Sequence, residues 1–177
     1  SLKVFLDNYA PQEVVPAYPA DFAETNVQKP QFLWNSASDS ASGVKWYRIE
    51  LSTYSAFTVI HLQDTTTGTS YTPASNLASN TYYWRVRAVD MLDNVNSGTN
   101  YRRITVDSDS PSEAVLSYPE DSADTNNSLP VLSWNASVDQ VSGLDAYIVQ
   151  VSTVQNFASL VSSDSLAQFL GKLSPAF

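Results

Sequence analysis

The chain repeats itself at a spacing of 100 residues. Residues 11–57 align with residues 111–157 without a gap, and 19 of the 47 pairs are identical, among them Tyr18/Tyr118, Trp34/Trp134, Asp39/Asp139, Gly43/Gly143, Tyr47/Tyr147 and Phe57/Phe157. Solenoid repeats run about 20–50 residues, so a period this long is one whole domain. The repeat therefore sets the expected plan: a complete module over residues 11–107 and a second, incomplete one over residues 108–177. Lys3-Val4-Phe5-Leu6-Asp7 precedes Pro11 as Arg103-Ile104-Thr105-Val106-Asp107 precedes Pro111. Residues 1–10 thus read as the last strand and linker of a preceding module.

Within each copy the apolar pattern has the period of a strand. Tyr47, Ile49 and Leu51 alternate with Trp46, Arg48 and Glu50, and Tyr147, Val149 and Val151 repeat the first set. Tyr82, Trp84, Val86 and Ala88 alternate with Tyr83, Arg85 and Arg87. A two-residue period places one set on a buried face and the other outside. Ile104 and Val106 mark a final strand, and Pro30–Trp34 and Pro130–Trp134 an early one entered through a proline. Gly43 and Gly143 sit between the early strand and the next, where a glycine supplies a positive φ. Such strands, punctuated by turns, predict an all-β chain built as tandem antiparallel sandwiches. The expected core is Trp34, Tyr47, Ile49, Leu51, Leu77, Tyr82, Trp84 and Val86, with Trp134 and Tyr147 in the second copy.

Past Phe157 the two copies match loosely, and nothing in residues 158–177 corresponds to the long strand around Trp84 or the one after it. The second sandwich is expected to lack those last two strands, which either follow in a longer chain or come from another molecule. Ser165-Leu166-Ala167-Gln168 has the form of a helix capping box, so a helix over 165–173 is the competing reading of that stretch.

Taken together, Trp34, then Tyr47 with its alternating partners, then Leu77 shortly before Tyr82 and the run TYYWRVRAVD resemble a fibronectin type III domain, in particular the repeats of large bacterial surface and secreted proteins. The resemblance implies an immunoglobulin-like sandwich whose Leu77 and Tyr82 form the tyrosine corner. It also implies a non-catalytic job as spacer or adhesion module, extracellular or on the bacterial cell surface. Its partners would then be neighbouring modules of the same parent chain, and beyond them a polysaccharide or another surface protein. The alternative is a carbohydrate-binding accessory region of a secreted polysaccharide-degrading enzyme.

Charge and composition limit other roles. Acids outnumber bases 18 to 9, so the chain lacks the excess positive charge that neutralises phosphates, and neither nucleic acid nor an anionic membrane is expected as partner. No apolar run has the length to span a bilayer. Without cysteine there is no disulfide framework and no thiolate metal site. His61, the single histidine, has no nucleophile or acid at a recognisable spacing, and five glycines form no phosphate-binding loop. No enzyme and no cofactor are expected.

Two clusters are candidates for binding. All five arginines lie in the first module. Alternation puts Arg48, Arg85, Arg87 and Arg103 on an outer face with Trp46, Glu50 and Tyr83. Arginine with aromatics can grip an acidic polysaccharide or a partner's carboxylates; the same residues can equally satisfy one another as a cross-strand ladder. Asp107, Asp109 and Glu113 gather near the module junction, and Asp90, Asp93, Asn94 and Asn96 follow the long strand. These are the oxygen donors that calcium takes, but no Asp-x-Asp-x-Asp-Gly run is present. Asp and Asn also cap turns, so no metal site is favoured.

Overall fold

The computed structural model describes residues 6–167. Among these there is no helix, and the chain divides into two compact units between Asp109 and Ser110. The first unit is a sandwich of two sheets. The larger has five strands in the order β2-β8-β7-β4-β5: β2 Ala23–Thr25, β8 Tyr101–Val106, β7 Asn80–Asp90, β4 Val44–Ser52 and β5 Leu62–Thr66. The smaller has three in the order β1-β3-β6: β1 Pro16–Tyr18, β3 Phe32–Trp34 and β6 Ser70–Tyr71.

The expected alternation is what fills the space between the sheets. Tyr47, Ile49 and Leu51 of β4, Tyr82, Trp84, Val86 and Ala88 of β7, and Ile104 and Val106 of β8 are all buried in one cluster with Phe32 and Trp34 of the smaller sheet. Phe32 packs on Trp84 with ring centroids 4.9 Å apart, and Trp34 meets Tyr47 edge-on at 5.8 Å. Leu77 is buried beside them, and the Tyr82 hydroxyl donates to the Ala78 carbonyl at 3.0 Å. This bond ties the loop before β7 to the strand's own core residue and gives the polar end of a buried tyrosine its partner.

The larger sheet is mixed rather than purely antiparallel, because β2 runs parallel to β8. The sequence reading missed β2, which is three residues long with no apolar alternation. Polar bonds hold it instead. The Asp21 carboxylate accepts from the Arg103 N–H at 2.8 Å, Phe22 turns through a positive φ of 62° and donates its N–H to the Arg103 carbonyl, and the Asp107 N–H donates to the Thr25 carbonyl. His61 lies just before β5, with its N–H on the Leu51 carbonyl and its ring 5.2 Å from that of Tyr82.

The second unit holds two strand pairs: β9 Leu116–Tyr118 with β10 Ser133–Trp134, and β11 Ala146–Ser152 with β12 Leu160–Ala167. Local geometry recurs at the 100-residue offset. The Asp39 carboxylate accepts the N–H groups of Ala41, Ser42 and Gly43 at 2.8–3.1 Å, and Asp139 accepts those of Val141, Ser142 and Gly143 at 3.0–3.1 Å. In each loop the glycine sits at φ 84°. The Tyr47 hydroxyl accepts from Ala37 N–H, and the Tyr147 hydroxyl from Ser137 N–H.

One expectation needs correcting here. Trp134 and Tyr147, assigned to a core, are only half-buried. With Leu116, Leu132, Val149 and Val151 they line an open groove of about 480 Å³. The reason is that no described strand of this unit occupies the place that β7 and β8 hold in the first; β11 pairs with β12 alone. The strand β12 reaches Ala167, so Ser165 and Leu166 belong to a strand and not to the start of a helix. The remainder of the proposed helix, and residues 1–5 of the strand expected through Asp7, lie outside the described residues; Leu6 and Asp7 belong to no strand.

Candidate functional site

Strand pairing builds the outer face of the larger sheet. Arg48 stands opposite Arg87, Glu50 opposite Arg85, and Ser52 opposite Tyr83 across β4 and β7; Tyr83 faces Arg103 and Arg85 faces Tyr101 across β7 and β8. Like charges directly opposite are unfavourable, and the carboxylate of Glu50 resolves the conflict. Its Oε2 accepts from Arg85 Nε at 2.7 Å and its Oε1 lies 3.9 Å from an Arg48 guanidinium nitrogen. Glu50 is only 3% exposed although it points away from the core.

Phe57 covers Arg85, the partner of Glu50. The loop after β4 closes with a bond from the Phe57 N–H to the Tyr54 carbonyl, and Phe57 takes a positive φ of 52°. Its ring then lies 4.1 Å from the Arg85 guanidinium carbon, with Tyr101 edge-on at 5.9 Å. Arg48 stacks over Trp46 at 5.4 Å and Arg103 over Phe22 at 4.6 Å. Arg87 Nε donates to the Asn96 carbonyl at 3.0 Å. Gly98, at φ 66°, lies so close that a Cβ there would come within 2.7 Å of Arg87 Cγ. Arg102, on the opposite side of β8, donates to the Ala17 and Pro19 carbonyls. The structure thus brings Trp46, Arg48, Tyr83, Arg85, Arg87 and Arg103 onto one face, with the guanidinium groups already engaged by rings, a carboxylate or a carbonyl. Trp46, half-buried, presents the accessible edge of that array.

A second site collects at one end of the first sandwich. Asp90, at the end of β7, is fully buried. Its Oδ1 accepts the N–H groups of Leu92 and Asn94, both at 2.8 Å, and its Oδ2 accepts the Asn94 amide at 2.7 Å. Burial pushes this carboxyl up, but the bonds from Asn94 and Leu92 more than reverse the effect and hold it below the ordinary 3.8. Asp39 approaches from the loop between β3 and β4. Asp7 comes from the segment that leads into the sandwich. One carboxylate oxygen from each of the three lies within 4.8 Å of the others.

The lead-in segment is held there by amides. The Asn94 side chain donates to the Asp7 carbonyl at 3.1 Å, and the Asn96 side chain to the Gln12 carbonyl at 2.8 Å. The Glu13 carboxylate takes the Ser97 N–H and hydroxyl and the Thr99 N–H. The acids expected to gather at the junction sit differently. Asp107 accepts the Asp109 N–H at 3.1 Å, and Asp109 and Glu113 are exposed. Of the cluster after the long strand, Asp90 joins the trio, Asn94 and Asn96 fasten the lead-in, and Asp93 pairs with Lys45 at 2.8 Å on the surface. No local motif joins the three acids, because Asp7 and Asp39 stand 32 residues apart in the chain and Asp39 and Asp90 stand 51 apart. The repeated Asp39/Asp139 and Asp7/Asp107 pairs were the available signal.

The chain matches no known protein-family model and no curated protein sequence.

Proposed function

We propose that this chain is part of a string of fibronectin type III-like modules in an extracellular bacterial protein, where it serves as a spacer or adhesion element rather than as an enzyme. The observation that carries this reading is the ungapped 100-residue sequence repeat, in which the residues that set turns and core contacts recur together. The Tyr82–Ala78 bond has the form of the tyrosine corner of such modules. The arginine ladder supports a structural role, since its members are engaged with one another's surroundings. A module of this kind acts mechanically: it folds around its own core and holds its neighbours apart.

Trp46 favours one second reading. An accessible indole beside a stacked arginine is the kind of platform on which a sugar ring packs, and a carbohydrate-binding accessory region would use it. Affinity electrophoresis through gels containing neutral and acidic polysaccharides separates the two. The spacer reading expects no retardation. Retardation that Trp46→Ala abolishes would replace it with carbohydrate binding.

A further inference from the structure

Asp7 is 6% exposed, and its Oδ2 is buried with no hydrogen-bond donor. Its Oδ1 accepts only the Tyr9 N–H at 3.0 Å. An unpartnered carboxylate oxygen out of water is expensive, and here it belongs to a carboxylate that clusters with two others, one of them fully buried. Among the described residues the ion pairs are Lys45 with Asp93 and the two arginines with Glu50; none reaches Asp7, Asp39 or Asp90. Three carboxylates this close, without a basic partner, form the kind of site that a cation compensates.

We propose that Asp7, Asp39 and Asp90 bind a calcium ion that fastens the lead-in segment to the first sandwich. The donors are all hard carboxylate oxygens, with no histidine and no cysteine among them, which selects a hard divalent cation over zinc or copper. Oxygens no more than 4.8 Å apart fit the span of about 4.6–5.2 Å across a calcium shell, twice its usual metal–oxygen distance, and need not meet the stricter octahedron of magnesium. The ligands come from three separate stretches: the chain before β1, the loop before β4 and the end of β7. Backbone donors already orient two of them. Asp39 is gripped by three N–H groups through Oδ1, and Asp90 by two more and the Asn94 amide. Asp39 lies in the loop that joins β3 to β4 and Asp90 ends β7, whereas Asp7 belongs to the lead-in before β1, so the ion couples the position of that segment to the sandwich. The inference stands on this geometry and is independent of the spacer reading.

The test is calorimetric titration of calcium chloride into the chelator-stripped chain, paired with thermal melts. One ion per chain is expected, with a rise in Tm on the order of 10 °C at saturation. Asp7→Asn is expected to weaken binding at least tenfold while leaving the metal-free melt and the β-sheet circular dichroism close to those of the parent. Asp93→Asn, a surface acid outside the trio, is expected to bind like the parent. Asp90→Asn is not relied on, because its loss of backbone acceptors can unfold the end of β7. Absence of heat and of any Tm change at millimolar calcium overturns the proposal. So does an equal response to magnesium at matched ionic strength, or undiminished binding by Asp7→Asn.

Discussion

Glu50 shows how one residue organises a face. It stands on the outer side of a strand, where an acid is usually solvated, yet it is buried, paired with Arg85 and close to Arg48, with Phe57 stacked on Arg85. Breaking a buried pair by removing one partner leaves the other charge uncompensated. Glu50→Gln is therefore expected to lower stability by about 2 kcal/mol, measured by urea unfolding at neutral pH; a change under a few tenths would mean that Phe57 and water already satisfy Arg85. Glu13 gives a second residue-scale prediction, with a pH signature. Burial pushes its carboxyl up, but the bonds from Ser97, Thr99 and Gly98 pull it below the ordinary 4.5. A carboxylate lowered on folding contributes stability above the unfolded pKa and loses it as pH falls through the folded pKa. The stability difference between the parent and Glu13→Gln should hold from pH 7 down to about 5, shrink through about 4 and vanish in stronger acid. A difference independent of pH would assign the effect to packing instead.

At the scale of the element, the long strands were legible in the sequence and the short ones were not. Alternation located β4 and β7 to within a residue or two, because three alternate positions in the first and four in the second report the same buried face. It also placed Tyr82 in the core, whereas Leu77 was expected there from the resemblance to a fibronectin type III domain. The strands β2 and β6 are three and two residues long, and pairing with distant strands fixes them, so no local periodicity announces them. Alternation likewise assigned Arg48, Arg85, Arg87 and Arg103 to one face, but not Phe57, whose position depends on a loop conformation with positive φ. The acidic trio was illegible for the same reason: each member sits at the end of a different element. The connection between β7 and β8 tests the packing of such loops. Gly98 lies in the left-handed region with its missing Cβ directed at Arg87 and Arg85. Gly98→Ala must either shift Arg87 from its bond to the Asn96 carbonyl or twist the loop, and is expected to lower stability by about 1–2 kcal/mol. The same substitution at Gly68, which has an ordinary φ and only the Thr66 hydroxyl at 3.7 Å, should be close to neutral. Equal effects at the two sites would remove the contact with Arg87 as the cause.

At the scale of the molecule, the two units have the same turn chemistry and unequal cores. Phe57 is 8% exposed and Phe157, with nearly the same φ, 51%; Trp34 is buried and Trp134 is not. The local bonds that Asp139 and Tyr147 make therefore do not depend on a filled interior, while resistance to opening does, since it scales with the apolar surface a region buries. Native-state hydrogen exchange should follow this division. Amides paired within β4, β7 and β8 should exchange at the rate of global unfolding of the first unit. Those of β11 and β12 should exchange orders of magnitude faster, although both sets belong to continuous antiparallel ladders. Acrylamide should quench a variant retaining only Trp134 far more than one retaining only Trp84. Adding calcium should slow exchange at the end of β7 and in the loop 39–43 without altering β11 or β12, because the trio lies wholly within the first unit. Equal protection of the two sets of strands would mean that the groove beside Trp134 is closed in solution, and a dependence of exchange on protein concentration would identify a second molecule as what closes it.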